Sequence, residues 1–239
     1  MENDETTRDR LQDAILSALY NSVNEGNVLI FKGGTSLRKI YGLDRYSDDL
    51  DFNLNASLVS MPEFIYKLGD RVTSRLLPLY KIRVYVHKNK SGQYNCDTII
   101  NDSYGKPTRI AIEMSAAKTY MPPIIKRVIT PETTYTASVM NINEILAEKI
   151  RAVYTRRNIE DIARDLVDID FILSIGGTFD PILANKKLAE IKHIRFSHRT
   201  FSGRLHLINE TTWKKNLSRL MKSVPDRKIL TSKILRAIA

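Results

Sequence analysis

Two short stretches carry most of the side chains that could do chemistry. Phe31-Lys32-Gly33-Gly34-Thr35-Ser36-Leu37 sets a lysine, two glycines and two hydroxyls in succession, and Ser47-Asp48-Asp49-Leu50-Asp51-Phe52 adds an Asp-x-Asp pair. Two glycines behind a strand let the backbone come close to a phosphate, and a helix starting there offers N–H groups and a favourable dipole. Lys32 adds a mobile cation, and Thr35 and Ser36 add hydroxyls. Asp49 and Asp51 stand two apart, so on a strand their carboxylates share one face with Asn53, while Asp48 points the other way as a solvated neighbour. Paired carboxylates together with phosphate oxygens suit Mg2+, and two such ions can align the attacking and leaving oxygens of phosphoryl or nucleotidyl transfer. The P-loop pattern Gly-x-x-x-x-Gly-Lys-Ser/Thr is absent. Either motif alone is an ordinary turn or surface loop; it is the close spacing of the two that makes them specific.

The elements that must position these residues follow from periodicity. Leu11, Ile15, Leu16, Leu19 and Val23 recur at helical spacing over 6–23, and Asn27 to Phe31 is a short apolar strand that stops at the glycines. A short helix from Thr35 buries Leu37, Ile40 and Tyr41 and ends at Gly42. Residues 50–54, 80–87, 96–101 and 108–115 read as strands, 62–78 as a helix and 88–93 as a polar turn. Glu113 closes the alternation Ile110-Ala111-Ile112-Glu113, either as a third carboxylate of the site or as a solvent-facing strand end. Past Pro122-Pro123 and Pro131 no further strand stands out, and helices are expected near 142–157, 159–175, 180–192, 209–223 and 226–238. The expected architecture is α+β: a domain with a mixed sheet over 1–132, then a helical bundle over 133–239.

A second constellation lies in those helices. Ile142, Ile145, Leu146, Ile150 and Val153 make an apolar stripe with Lys149 near its middle. In the next helix Ile162, Leu166, Ile169 and Leu173 form the stripe, Asp165 lies at its edge, and Arg164 and Asp168 point away. A lysine on an apolar face must snorkel, pair or meet a ligand. Two readings stay open: Lys149 and Asp165 pair with each other, or Lys149 meets a triphosphate that Asp165 helps to orient.

Charge is uneven along the chain. Residues 1–132 hold 18 Lys/Arg against 16 Asp/Glu, whereas 185–239 hold 14 against 3. A basic tail on a near-neutral body fits a phosphate-backbone partner such as RNA, or a solvated helical surface. His193, His198 and His206 lack metal-ligand spacing. Cys96 is the only cysteine, the start Met1-Glu2-Asn3-Asp4-Glu5 is acidic, and no apolar run nears the roughly 20 residues that span a bilayer. A cytoplasmic protein without a membrane anchor is the expectation.

The same blocks carry a resemblance. Phe31 to Leu37, then Arg45-Tyr46-Ser47-Asp48-Asp49-Leu50-Asp51-Phe52, is similar to the signature of the AbiEii/AbiGii-type toxin nucleotidyltransferases, of the polymerase-β-like superfamily. The likeness continues in Glu144-Ile145-Leu146-Ala147-Glu148-Lys149-Ile150-Arg151-Ala152 and Arg164-Asp165-Leu166-Val167-Asp168. It implies a two-domain toxin of a bacterial toxin–antitoxin or phage-defence pair, with a cognate antitoxin. Its reaction would move a nucleotide from an NTP with Mg2+, in some members onto the 3′ end of tRNA. By that likeness Lys32, Asp49, Lys149 and Asp165 match essential positions and Asp51 completes the metal pair, with Lys32, Gly33, Gly34, Thr35, Ser36 and Lys149 as nucleotide contacts. Tyr46 stands where Phe is common, Asp48 where Glu is, and Val167 where an aromatic is. Transfer to a protein hydroxyl, or NTP and RNA binding without turnover, are the alternatives.

Overall fold

The computed structural model describes residues 4–21, 28–55, 61–76, 81–88, 94–101, 107–191 and 194–239. Val23, most of the turn expected over 88–93, and His193 lie outside them. The chain forms two units: one of 1–41 and 46–140, the other of 42–45 and 141–239.

Among the described residues of the first unit, helices α1 (Asp4–Tyr20), α2 (Gly33–Tyr41) and α3 (Met61–Leu76) accompany seven strands. These are β1 (Leu29–Lys32), β2 (Leu50–Leu54), β3 (Lys81–Lys88), β4 (Tyr94–Asn101), β5 (Pro107–Ser115), β6 (Ile124–Ile129) and β7 (Thr134–Val139). They make one mixed sheet in the order β3-β4-β5-β2-β1-β7-β6, parallel at β2/β5 and β1/β7 and antiparallel elsewhere. Period-two alternation gives the sheet an apolar face: Phe31, Leu50, Phe52, Ile110, Ile112 and Met114 are buried. Leu11, Ile15, Leu16 and Leu19 of α1 and Phe64, Ile65, Leu68 and Val72 of α3 recur every three or four residues and close over that face in one core. The opposite face of β1, β2 and β5 carries Lys32, Asp51, Asn53, Glu113 and Ser115.

The expected α+β class is the class found. Two strands had not stood out, however: β6 and β7 extend the sheet, and the chain leaves the first unit only after Met140, beyond the boundary expected at 132.

The second unit contains α4 (Ile142–Thr155), α5 (Glu160–Ser174), α6 (Pro181–Ala189), α7 (His198–His206), α8 (Glu210–Leu217) and α9 (Arg227–Ala237). Side chains of Asn141, Asp180, Ser197, Asn209 and Asp226 cap five of these helices by accepting from first-turn N–H groups, and Pro181 opens α6. The core gathers Ile145, Ile150, Ile162, Leu166, Ile169, Phe201, Trp213 and Ile234, all buried. The Trp213 indole donates to the Pro225 carbonyl at 2.9 Å, so its polar edge is satisfied. Helix α7 was not expected from the sequence. His198 and His206 lie on it, each with a ring nitrogen against a backbone carbonyl.

Candidate active site

In the first unit three expected residues fall on one row across the polar face. Lys32 of β1 is the register partner of Asp51 of β2, which is in turn the partner of Glu113 of β5. The row sits where β1 turns into α2. Gly33 makes that turn at φ +77°, and a Cβ built on it would lie 2.1 Å from Asp51 Oδ2. Glycine is thus required twice, by the left-handed backbone and by the carboxylate packed against it.

A polar chain runs along the same face. Lys32 donates to Ser115 Oγ at 3.2 Å, and the Ser115 hydroxyl reaches Asn53 Oδ1 at 2.7 Å. The Asn53 amide donates to the Ala117 carbonyl at 3.2 Å and to Thr119 Oγ1 at 3.4 Å, holding the segment that follows β5. Ser115 had not been singled out; its signal was its place two residues after Glu113 on the same strand face. Glu113 itself is exposed, and Asp51 is half-buried.

Asp49 stands one residue before β2 and is exposed. Its carbonyl accepts from Thr35 Oγ1 at 2.5 Å. Ser36 Oγ donates to the Gly33 carbonyl at 2.8 Å, and both Thr35 and Ser36 are fully buried. The two hydroxyls expected to face a nucleotide therefore hold the turn and the Asp49 loop together; what α2 presents at its start is backbone N–H. The Gln12 amide donates to the Ser47 and Asp48 carbonyls at 2.9 and 3.0 Å, and the Arg38 guanidinium lies 4.8 Å over the Tyr46 ring.

Asp49 and Asp51 offer hard oxygen donors beside a glycine turn, a donor set that fits a small divalent cation completed by phosphate oxygens and water. Among the described residues no group of three or more His, Cys, Asp or Glu side chains is arranged to hold a metal. Glu113 stands beside Asp51 in the row.

Lys149 and Asp165 belong to the second unit and to a buried ion cluster. The Lys149 ammonium is 3.1 Å from Asp165 Oδ1 and 2.6 Å from Asp168 Oδ2. Arg45 grips Asp168 with two prongs, at 2.8 and 3.0 Å, and Arg156 Nε donates to Asp165 Oδ2 at 3.1 Å. The pairing of Lys149 with Asp165 is the first of the two readings left open. Asp168 had been expected to point away, yet it is wholly buried at the hub. Helix α5 packs against α4, α8 and α9, so more than one stripe of it is interior. Burial pushes the Asp168 carboxyl up, but Arg45 and Lys149 outweigh it and leave it below the usual carboxylate range. Burial pushes Lys149 down, and Asp168 and Asp165 outweigh that and hold it above the ordinary lysine value.

A mixed sheet whose Lys-Gly-Gly turn enters a helix beside an Asp-x-Asp strand defines the nucleotidyltransferase class. The chain belongs to the AbiEii family, the nucleotidyl transferase toxins of type IV toxin–antitoxin systems, which it matches over residues 14–233. It is thus a nucleotidyltransferase toxin, and the family implies a nucleotide substrate and an antitoxin partner. Solved structures agree on the fold. The MenT4 nucleotidyltransferase toxin of Mycobacterium tuberculosis H37Rv is 21% identical with a TM-score of 0.75, covering 99% of this chain and 83% of its own. A putative nucleotidyltransferase from H. pylori is 17% identical with a TM-score of 0.62, covering 100% and 97%. An antigenic nucleotidyltransferase-like protein from Paracoccidioides brasiliensis is 14% identical with a TM-score of 0.51, covering 78% and 88%. No curated protein matches the chain. Among the described residues, no helix is long and apolar enough to cross a membrane.

Proposed function

We propose that the chain transfers a nucleotide from an NTP to the 3′ end of tRNA in a Mg2+-dependent reaction. The observation that carries this is the row Lys32, Asp51, Glu113 at the Gly33 turn. Lys32 and the backbone N–H groups of Gly33, Gly34, Thr35 and Ser36 receive the triphosphate. Asp49 and Asp51 are the metal ligands, and Mg2+ bound to them supplies charge neutralisation on the triphosphate and the leaving pyrophosphate. The terminal hydroxyl attacks the α-phosphorus in line; a new O–P bond forms, the bond to pyrophosphate breaks, and the hydroxyl proton passes to Glu113 or Asp51. We assign Lys149 and Asp165 to the ion cluster of the bundle, because two buried carboxylates already hold the ammonium.

The acceptor is read from charge. Residues 185–239 carry 14 Lys/Arg against 3 Asp/Glu, a surface for a phosphate backbone. A tRNA with a blocked 3′ end no longer accepts an amino acid, so the reaction would halt translation in the cytoplasm, as a toxin or phage-defence protein requires. Periodate oxidation of the terminal diol tests the acceptor atom. Treated tRNA should take up no nucleotide, and uptake equal to that of untreated tRNA would sink the 3′-end assignment.

A further inference from the structure

Lys32 ends in a charge with no direction of its own. A lysine stem is flexible and its ammonium is a compact point charge, so its place is set by what it is bonded to. It stands in a row with the carboxylates of Asp51 and Glu113, and the Ser115 hydroxyl accepts from it at 3.2 Å. Behind that hydroxyl the protons can be arranged in one way. The Ala117 carbonyl only accepts, so the Asn53 amide nitrogen faces it at 3.2 Å and Asn53 Oδ1 is turned to Ser115. Ser115 has one proton to give, and Asn53 Oδ1 at 2.7 Å takes it in preference to the Phe52 carbonyl at 3.5 Å. The lone pairs of the hydroxyl are then turned to Lys32, whose ammonium only donates. Asn53 is 1% exposed and is the register partner of Ser115. A polar side chain so deeply buried is costly unless bonded. An apolar one would fill the place without that cost; what asparagine adds is direction.

We infer that Ser115 and Asn53 are positioning residues: together they aim the Lys32 ammonium at the phosphates of the NTP. This rests on the reading of Lys32 as a triphosphate contact. Every bond in the chain lies within the sheet unit, on β1, β2, β5 and the segment that follows β5. Paired strands hold its members, and sites built on such elements are placed more closely than sites on loops. The Ser115 proton is committed to Asn53, so the hydroxyl has none to offer a phosphate and acts through Lys32.

Inorganic pyrophosphate with Mg2+, titrated calorimetrically into the 239-residue chain, tests the inference without turnover, because it carries the phosphates that Lys32 is read as meeting. Ser115→Ala should weaken pyrophosphate binding about tenfold, the worth of one hydrogen bond to a charged group. Ser115→Thr, which keeps the hydroxyl, should recover most of the affinity. Asn53→Ala leaves the Ser115 proton without its acceptor; it should weaken binding in the same direction and replaces Ser115→Ala where that variant does not fold. Lys32→Ala should weaken binding at least as much as Ser115→Ala. The Lys32→Ala, Ser115→Ala double variant should be no worse than Lys32→Ala alone, a result that a merely structural Ser115 would not give. Unchanged or tighter binding in Ser115→Ala, with the Lys32→Ala loss intact, would overturn the inference and leave the function standing. So would losses that add in the double variant. Full affinity in Lys32→Ala, or an unaltered chain that binds no pyrophosphate, would remove the triphosphate reading of Lys32 and this inference with it.

Discussion

Asp51 is fixed by its neighbours on three sides: Lys32 and Glu113 flank it in register, and the bare Cα of Gly33 leaves room for its carboxylate. Gly33→Ala should therefore be costly beyond its size. A left-handed alanine and a Cβ inside the carboxylate together should cost about 1–3 kcal/mol, read as a lowered urea midpoint, with transfer activity falling as Asp51 is pushed aside. Asp51→Asn should leave the melting temperature nearly unchanged and lower turnover by about a hundredfold or more; a full-rate Asp51→Asn enzyme would remove it from the metal pair. At this scale much was legible in the sequence. Lys32, Gly33 and Asp51 were visible because strand and turn spacing bring them together. Thr35 and Ser36 were visible as types, but not as inward-bonded hydroxyls, because their partners, the Asp49 and Gly33 carbonyls, are backbone atoms that no pattern displays.

Helix α5 shows what periodicity can and cannot tell. Its apolar stripe was readable, but contact with α4, α8 and α9 buries a further side of it, and Asp168 lies there. Removing one partner from such a buried cluster leaves charge uncompensated, so Asp168→Asn should cost about 3–5 kcal/mol, measured by chemical denaturation. The pH dependence follows from direction. Asp168 titrates lower in the folded chain, so its contribution is complete above the unfolded value of about 4 and is lost as pH falls through the folded value. Lys149 is the mirror case, complete below about 10.4 and lost as pH rises through its raised value. Stability compared at about pH 7 and about pH 3 should differ less in Asp168→Asn than in the unaltered chain; an equal difference would mean that Asp168 carries none of the acid sensitivity. Strands β6 and β7 escaped the sequence reading for a different reason. Edge strand β6 carries Lys126 and Arg127 outward between flanking prolines, and β7 builds its inward face from Tyr135, Ala137 and Val139 among small polar residues. Helix α7 buries only Phe201 and Leu205, too few for a visible stripe.

Across the whole molecule, the surplus of positive charge is smaller at the surface than composition suggests. Lys187 is buried against Glu144 and Glu148, Arg204 donates to the Val153 and Arg156 carbonyls, and Arg227 and Lys233 pair with Glu210 and Asp170. Arg199, Lys215, Arg219, Lys222, Lys228 and Arg236 remain exposed. If tRNA is held by its backbone, a Lys215→Ala, Arg219→Ala, Lys222→Ala variant should reduce the slope of log affinity against log salt by about 2. An unchanged slope would move the RNA surface elsewhere. The sequence showed the charge asymmetry but not this internal pairing, which depends on which helix faces meet.

Incorporation of each α-labelled NTP in turn into total tRNA with Mg2+, by the unaltered chain and by Asp49→Ala, tests the central claim most directly. The account predicts label in tRNA with one or two of the nucleotides and about a hundredfold less or lower still in the variant. Label that enters tRNA equally with Asp49→Ala, or that enters only protein, would contradict it.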